Sequence, residues 1–319
     1  MERKTLGVSV AARDSRGVVE RIEQLEKMGI PAAWLTTGGP GLDALTLFAA
    51  AAVRTERIKF GTCIVPTWPR HPITAVQQVQ VLAQLAPGRF RLGVGPSHKP
   101  LMTQMYGFEF RRPLTNLREY LQIVKDLLQK GSVDFDGYHY HAHARLSTPY
   151  PDVPVLASAL QKRSFELCGA AADGAISWVC PGTYLRDVAL PAMQVAAKGA
   201  GRPVPPLVAH APVCVHDDER EVLGVAREQL PMYPRLPFYR QMFLDAGFTE
   251  AATENWSVRM VDAVVLYGKE HRVAGRIKEL FALGATEIIV TVVTAGANRE
   301  ASRTRTLDLL ANVVKDMSR

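Results

Sequence analysis

Short apolar runs alternate with longer stretches of helical periodicity along the whole chain. A β-rich run at 5–11 is followed by apolar residues at helical spacing over 15–28. The same strand-then-helix order repeats, and Asp43 and Pro72 are well placed to begin two of the helices. The predicted strands cover residues 5–11, 32–37, 58–65, 90–95, 154–159, 174–179, 206–215 and 286–293.

These strands are short and apolar on both faces, which is typical of buried parallel sheets. Eight strand–helix units in 319 residues predict an α/β fold, a (β/α)8 TIM barrel, with 1–319 forming a single domain. Two of the segments between predicted strands are longer than a single connecting helix requires. We therefore predict insertions after strands 4 and 7. The first holds residues 99–113 and a hairpin turning at Asp136-Gly137, and the second is a helical stretch over 231–282.

The composition is ordinary for a globular enzyme, with 47% apolar and 22% charged residues. The four cysteines form no C-x-x-C pair, so we expect reduced thiols and a cytoplasmic protein. We expect neither a signal peptide nor a membrane span, because the most apolar run, 44–53, is too short to cross a bilayer. The net charge of +7 includes no long basic run, so we expect no nucleic-acid or membrane partner.

The run FRLGVGPSHKP at 90–100 resembles the start of a dinucleotide-binding loop. That motif requires a third glycine, where this chain has His98, and a helix that opens at once, which the prolines prevent. At the end of a barrel strand, Gly95 would let a flat ligand approach the backbone, and Ser97 and His98 would offer hydrogen bonds. A tight turn with polar residues facing water is an equally good interpretation of these residues alone.

Five motifs occur in an order that carries a family resemblance. They are GTCIVPTWPRHP (61–72), GRFRLGVGPSHKP (88–100), RRPLTNLREYLQIV (111–124), GSVDFDGYHY (131–140) and ADGAISWV (172–179). Together they resemble the bacterial-luciferase-like superfamily, and in particular its branch that uses the deazaflavin coenzyme F420. The resemblance spans nearly the whole chain.

The resemblance implies a barrel with insertions, usually a homodimer, with the coenzyme ring lying across the carboxyl-end opening. It places a non-prolyl cis peptide at Cys63-Ile64, behind the ring, and the coenzyme phosphate on backbone N–H groups after strands 5 and 6. The implied cofactor-binding residues are Thr37, Thr62, Cys63, Ile64, Gly95, Pro96, Ser97, His98, Ala159, Leu160, Gln161, Lys162, Val179, Cys180, Pro181, Gly182 and Thr183. Thr36 and Thr37 stand where several relatives have an acid and a histidine, so the proton-transfer residue of those relatives does not carry over.

The implied reaction is hydride transfer between F420 and a small organic substrate such as an imine, an enone or an activated C=C bond. His98 is the predicted catalytic proton donor, because an imidazole titrates near neutral pH. His71, which precedes a proline, is better explained by a helix-cap or packing role. We expect the insertions, 99–113 and 231–255, to cover the opening and select the substrate.

Three alternatives remain open. The same fold could bind FMN and act as a luciferase-like monooxygenase, or it could bind a flavin without catalysis. A metal-dependent TIM-barrel hydrolase is a further alternative, because His139, His141 and His143 alternate along one predicted strand. Their position in a hairpin insertion, away from the barrel opening, favours an exposed polar face and no metal.

Overall fold

Strands occur where the apolar β-branched runs predict them. The computed structural model describes residues 4–317. Its strands are β1 (Thr5–Ser9), β2 (Ala32–Leu35), β3 (Lys59–Thr62), β4 (Val65–Pro66), β5 (Phe90–Gly95), β6 (Ser132–Asp136), β7 (His141–Arg145), β8 (Val155–Ser158), β9 (Ala175–Trp178), β10 (Leu207–Val215), β11 (Leu266–Gly268) and β12 (Glu287–Val292).

Helices follow the strands and pack outside them. They are α1 (Ser15–Lys27), α2 (Ala44–Ala52), α3 (Pro72–Leu85), α4 (Pro113–Lys125), α5 (Lys162–Ala171), α6 (Gly182–Tyr184), α7 (Leu190–Gly199), α8 (Glu219–Gln229), α9 (Pro237–Asp245), α10 (Val258–Val264), α11 (Glu270–Ala282) and α12 (Arg299–Met317). Asp43 caps α2 through a hydrogen bond from Thr46 N, and Pro72 begins α3 behind His71, whose ring accepts from Ile73 N. The predicted starts of both helices are confirmed.

Parallel pairing closes the sheet into a barrel. Within residues 4–317 the neighbours run β1, β2, β3, β5, β8, β9, β10 and β12, and β10 pairs with β9 while β12 pairs with β1. Register is regular, with Val8 of β1 opposite Val290 on one side and Ala33 on the other. The predicted (β/α)8 barrel is confirmed.

The closed end of the barrel is filled by an aromatic ring and an ion pair. Trp34 of β2 is fully buried and donates from Nε1 to Glu287 Oε1 at 3.2 Å, and the Arg91 guanidinium lies 4.4 Å from the Trp34 ring and pairs with Glu287. Gly61 makes room for this ring, because a Cβ there would lie 2.4 Å from Trp34 carbons. The packed base leaves the carboxyl ends of the strands as the place for a ligand.

The first insertion follows β5 and includes the predicted hairpin of β6 and β7. The Glu119 carboxylate of α4 accepts hydrogen bonds from the backbone N–H groups of Tyr138 and His139 at 2.9 and 2.8 Å. The next residue, Tyr140, accepts from Asn116 Nδ2 at 2.8 Å. The hairpin turn is therefore fixed to α4 and to the barrel.

The second insertion differs from the continuous helical stretch predicted for 231–282. It breaks into α9, α10, α11 and two short 3₁₀ turns, and the strand β11 pairs with the end of β10. β11 is only three residues long, Leu-Tyr-Gly, which is too short to be distinguished from a buried helix end by periodicity. Among the described residues no helix is both long and apolar enough to span a bilayer.

Candidate active site

A cavity of about 790 Å³ opens at the carboxyl ends of the barrel strands, and we call it the mouth cavity. Its base is formed by strand ends and the residues just after them, and its walls by the two insertions. Its lining includes Ser9, Thr36, Thr37, Cys63, Ile64, Pro96, Ser97, His98, Ser158, Ala159, Leu160, Gln161, Arg163, Ile176, Trp178, His210 and Thr291, together with Pro100, Leu101, Phe110, Leu114, Leu117, Met232, Tyr233, Phe238 and Tyr239. Both insertions cover the opening, as predicted.

One wall of the cavity is the break between β3 and β4. The peptide bond between Cys63 and Ile64 is cis, as the resemblance implies, and both residues line the cavity. Thr36 Oγ1 donates to the Cys63 carbonyl at 2.8 Å. Burial raises the pKa of the Cys63 thiol to about 11, so the group is a neutral thiol at pH 7 and is not a nucleophile.

Two of the predicted cofactor residues at this wall have roles in the barrel itself. Thr62 is fully buried, where its hydroxyl donates to the Gly93 carbonyl at 2.8 Å and accepts from Gly93 N at 2.7 Å. Thr37 does line the cavity, and its hydroxyl accepts from Ala44 N at 3.1 Å. Thr62 therefore joins β3 to β5 and does not reach the cavity surface.

The loop after β5 brings three of its four predicted residues to the cavity. Pro96, Ser97 and His98 line it, and Ser97 has a left-handed backbone with φ 60°. Gly95 is buried behind them, where a Cβ would lie 2.1 Å from Ser158 Oγ. The glycine is thus required for close packing of β5 against β8, and it is not part of the cavity lining.

His98 lies among aromatic side chains of the second insertion. Its ring centroid is 5.9 Å from that of Tyr239 and 6.2 Å from that of Tyr233. This burial lowers the pKa of His98 below its ordinary value, so the imidazole is mainly neutral at pH 7.

The first predicted phosphate segment reaches the cavity with its amides already engaged. Ala159, Leu160 and Gln161 line the cavity. The Ala159 N–H donates to the Ile176 carbonyl at 2.9 Å. The N–H groups of Leu160 and Gln161 donate to Ser164 Oγ at 3.0 and 3.1 Å. Lys162 is exposed outside the cavity lining, whereas the next residue of α5, Arg163, contributes to it.

The second predicted phosphate segment, 179–183, is not part of the cavity lining. Val179 is fully buried with a left-handed φ of 50°, and burial strongly raises the pKa of the Cys180 thiol. Pro181 precedes the helix start, Gly182 packs against Leu283 beyond α11, and Thr183 is exposed. This segment therefore does not line the same cavity as the other predicted cofactor-binding segments.

Sequence reasoning missed an aromatic and polar group across the cavity base. Trp178 of β9 stacks near His210 of β10, with ring centroids 4.2 Å apart, and Tyr233 lies 5.9 Å from Trp178. His210 Nε2 lies 2.7 Å from Thr291 Oγ1, and burial lowers the pKa of His210 to about 3. The sequence contains one signal for this group, a histidine, His210, inside an otherwise apolar strand. Such a histidine is equally typical of a buried core position.

The three histidines of the hairpin do not share one strand face. His141 and His143 lie on β7 and are exposed beside Asp136 and Asp134, at 2.6 and 2.5 Å. His139 lies in the turn, with its ring 5.2 Å from that of Trp68. In the part of the chain that the structure describes, no three or more His, Cys, Asp or Glu side chains form a group that could hold a metal ion.

Comparison with known proteins identifies the family and agrees with the fold. A family described as luciferase-like monooxygenase matches residues 4–287. An F420-dependent glucose-6-phosphate dehydrogenase of Nocardia farcinica is 33% identical over 179 residues, which are 54% of this chain and 53% of that relative, so the chain spans about half the relative's length.

Two solved structures share the fold over nearly the whole chain. An F420-dependent secondary alcohol dehydrogenase in complex with an F420-acetone adduct gives a TM-score of 0.80 at 17% identity, over 99% of both chains. The oxygenating constituent of 3,6-diketocamphane monooxygenase of Pseudomonas putida, in complex with FMN, gives 0.74 at 18% identity, over 98% of both chains. At these identities the likeness concerns the fold alone.

Proposed function

The chain belongs to the luciferase-like monooxygenase family, and from this membership we propose that it is an oxidoreductase that uses the deazaflavin coenzyme F420. It transfers a hydride between F420 and a small organic substrate. The observation that carries the proposal is that three segments assigned to the cofactor by resemblance, at Cys63-Ile64, 96–98 and 159–161, all line one largely apolar cavity.

F420 is preferred over FMN because of where the sequence similarity lies. The relative named for F420 is 33% identical over half of this chain, whereas the FMN monooxygenase shares only the fold at 18% identity. The family description names a monooxygenase, but fold and family membership do not by themselves determine the reaction.

The cavity suits a flat, uncharged ring system. Its volume of about 790 Å³ is within the range of roughly 300–1,000 Å³ that is usual for ligand pockets. Its lining includes Cys63 and Ile64, which form the wall between β3 and β4, and Ile176 and Trp178 of β9. The Cys63 carbonyl is held in place by Thr36, so this wall needs no rearrangement to support a ring.

The anionic part of the coenzyme requires donors that are still free. Since the N–H groups of Leu160 and Gln161 already bond Ser164, we assign the phosphate to the cations at the start of α5, Lys162 and Arg163. In the segment 179–183 the Val179 N–H already donates to the His210 carbonyl at 3.2 Å and Pro181 has no N–H. The N–H groups of Cys180, Gly182 and Thr183, at the start of α6, stay part of the proposed binding region.

When bound, F420 supplies the hydride chemistry. Both insertions line the mouth cavity with largely apolar side chains, so polar interactions inside it are screened less than they would be in water. His98 delivers or takes the proton that accompanies the hydride at the substrate, because it lines the cavity and its ring is neither paired with a carboxylate nor far from the opening.

The test is a pair of equilibrium titrations of the purified protein, one with F420 and one with FMN, followed by fluorescence. We expect saturable binding of F420 and at least about tenfold weaker binding of FMN. Tight binding of FMN with no affinity for F420 would assign the chain to the flavin monooxygenases instead.

The setting of the enzyme is also a proposal. All four cysteines are free thiols, which supports a reducing, cytoplasmic compartment.

The neighbouring helices α2 and α3 carry exposed apolar side chains: Val53 at the end of α2, and Val81 and Leu85 on α3. These side chains support a homodimer through this face. Light scattering of the wild type and of Val81→Lys tests it: a dimer that the substitution dissociates is expected, and a wild-type monomer contradicts it.

A further inference from the structure

The walls of the mouth cavity above the strand ends carry almost no charge. The side chains there are aliphatic or aromatic, and they come from both insertions and α4: Leu101, Phe110, Leu114, Leu117, Met232 and Phe238. Among the described residues that line the cavity, Arg163 is the only one with a permanently charged side chain. No carboxylate lines it within the described chain.

Several polar groups at the base of the cavity are occupied by protein partners. Thr36 donates to the Cys63 carbonyl at 2.8 Å, and Thr291 Oγ1 lies 2.7 Å from His210 Nε2. Burial keeps both His98 and His210 neutral at pH 7 by lowering their pKa values. A ligand with many hydroxyl groups would lose hydrogen bonds to water that the apolar walls cannot replace.

Resting on the proposed function, we propose that the substrate is an uncharged, apolar carbonyl compound of ring size, such as a cyclic enone or ketone, and not a sugar phosphate or a carboxylate. In the direction of reduction, the electrophilic carbon receives a hydride from the reduced coenzyme and the π electron pair moves toward the carbonyl oxygen. One proton, which His98 takes up from solvent as the imidazolium ion and passes on, would then complete the product and leave the ring neutral. The coenzyme loses two electrons and the carbonyl compound gains them.

This class differs from the glucose 6-phosphate that the similar relative is named for. A buried phosphate dianion needs cations to pair with it, and the charge-free walls offer none. The one lining cation, Arg163, stands at the start of α5, where the proposed function places the coenzyme's own phosphate. A second phosphate would have to compete with the coenzyme for it.

The experiment is calorimetric titration of the F420-loaded protein with 2-cyclohexen-1-one, with 4-oxocyclohex-2-ene-1-carboxylate and with glucose 6-phosphate. We expect the uncharged enone to bind at least about tenfold more tightly than either anion. Equal or tighter binding of the carboxylate or of glucose 6-phosphate overturns the inference, as does binding of none of the three. Failure of the protein to take up F420 at the loading step overturns the proposed function itself, so the two failures are distinguishable.

A matched pair of variants tests whether the substrate binds in the mouth cavity. Leu101 and Met105 lie in the same helical turn of the first insertion, but only Leu101 lines the cavity. Leu101→Ala should weaken binding of the enone by about three- to tenfold, because the variant removes apolar contact area, and F420 affinity, titrated separately, should change less. Met105→Ala should change neither. Equal effects of the two substitutions would place the substrate elsewhere.

Discussion

Burial sets the chemistry of single side chains at the barrel opening. His98 is enclosed by Tyr233 and Tyr239 with no carboxylate lining the same cavity within the described chain, so nothing offsets the cost of charging its ring. Its pKa is consequently lowered, and the neutral ring can both donate and accept a hydrogen bond. His71, by contrast, is exposed at the start of α3 and caps that helix.

The first prediction concerns His98. His98→Gln should lower the rate of carbonyl reduction about a hundredfold or more, because general acid catalysis is lost. The wild-type rate should rise as the pH falls through the lowered pKa of His98, below its ordinary 6.5, and the variant should lose this dependence. Steady-state kinetics across pH, with F420 titrated separately, measures both.

His71→Gln is the matched control, because it alters a histidine that lies outside the cavity lining. It should keep both the rate and the pH profile. A His98→Gln enzyme with the wild-type profile would show that another group delivers the proton.

The second prediction concerns Gly95, whose Cβ position lies 2.1 Å from Ser158 Oγ. Gly95→Ala should lower the free energy of unfolding by about 1–3 kcal/mol through overpacking. Adding Ser158→Ala should restore part of that loss, since the clashing oxygen is gone. Urea denaturation of the single and double variants measures the coupling.

Gly224→Ala serves as the comparison, because no atom lies within 4 Å of its Cβ position on α8. It should be neutral or stabilising by about 1 kcal/mol or less. Additive losses for Gly95→Ala and Ser158→Ala would show that the two strands do not meet as described.

At the scale of elements, strands far apart in sequence are joined across the barrel interior. The Arg91–Glu287 pair links β5 to β12, with both side chains largely withdrawn from water and Trp34 bonded to the same carboxylate. Such a pair costs desolvation energy that is recovered only while both charges are present.

The third prediction follows from this pair. Glu287→Gln leaves the Arg91 guanidinium buried without a counter-charge and should destabilise the fold by about 3–5 kcal/mol. Glu109→Gln, which breaks an exposed pair with Arg111, should cost about 1 kcal/mol or less. Thermal unfolding of both variants compares them, and equal shifts in Tm would contradict the account of the barrel base.

The barrel strands were predictable because each is a short apolar run with its own turn residues, and helix starts such as Asp43 and Pro72 carry local signals. β11 was missed because three residues give no periodicity. His210 and Trp178 were missed because a single polar or aromatic residue inside a strand is typical of the core. The two side chains come together only when β9 and β10 lie side by side in the barrel. The role of Gly95 depends on Ser158 of a neighbouring strand, a contact that no local pattern encodes.

For the whole molecule, the cavity histidines link stability to pH. His210 has a folded-state pKa of about 3, below the ordinary 6.5, because burial disfavours its charged form. Between these values the unfolded chain binds a proton that the folded chain does not. The stabilisation is therefore complete above about pH 6.5 and is lost as the pH falls.

The fourth prediction is that the free energy of unfolding falls by about 1–2 kcal/mol between pH 6.5 and pH 5. His210→Gln, which cannot take up a proton, should flatten this dependence. Urea titrations at both pH values on the two proteins measure it. Stability that stays constant or rises on acidification would show that His210 is not buried as described.

The most direct test of the central claim is a crystal structure of the protein grown with F420. We predict the deazaflavin ring in the mouth cavity, against the wall at Cys63-Ile64, with the phosphate toward Lys162 and Arg163. A ring bound elsewhere, or a mouth cavity that excludes F420 at saturating concentration, would contradict the account.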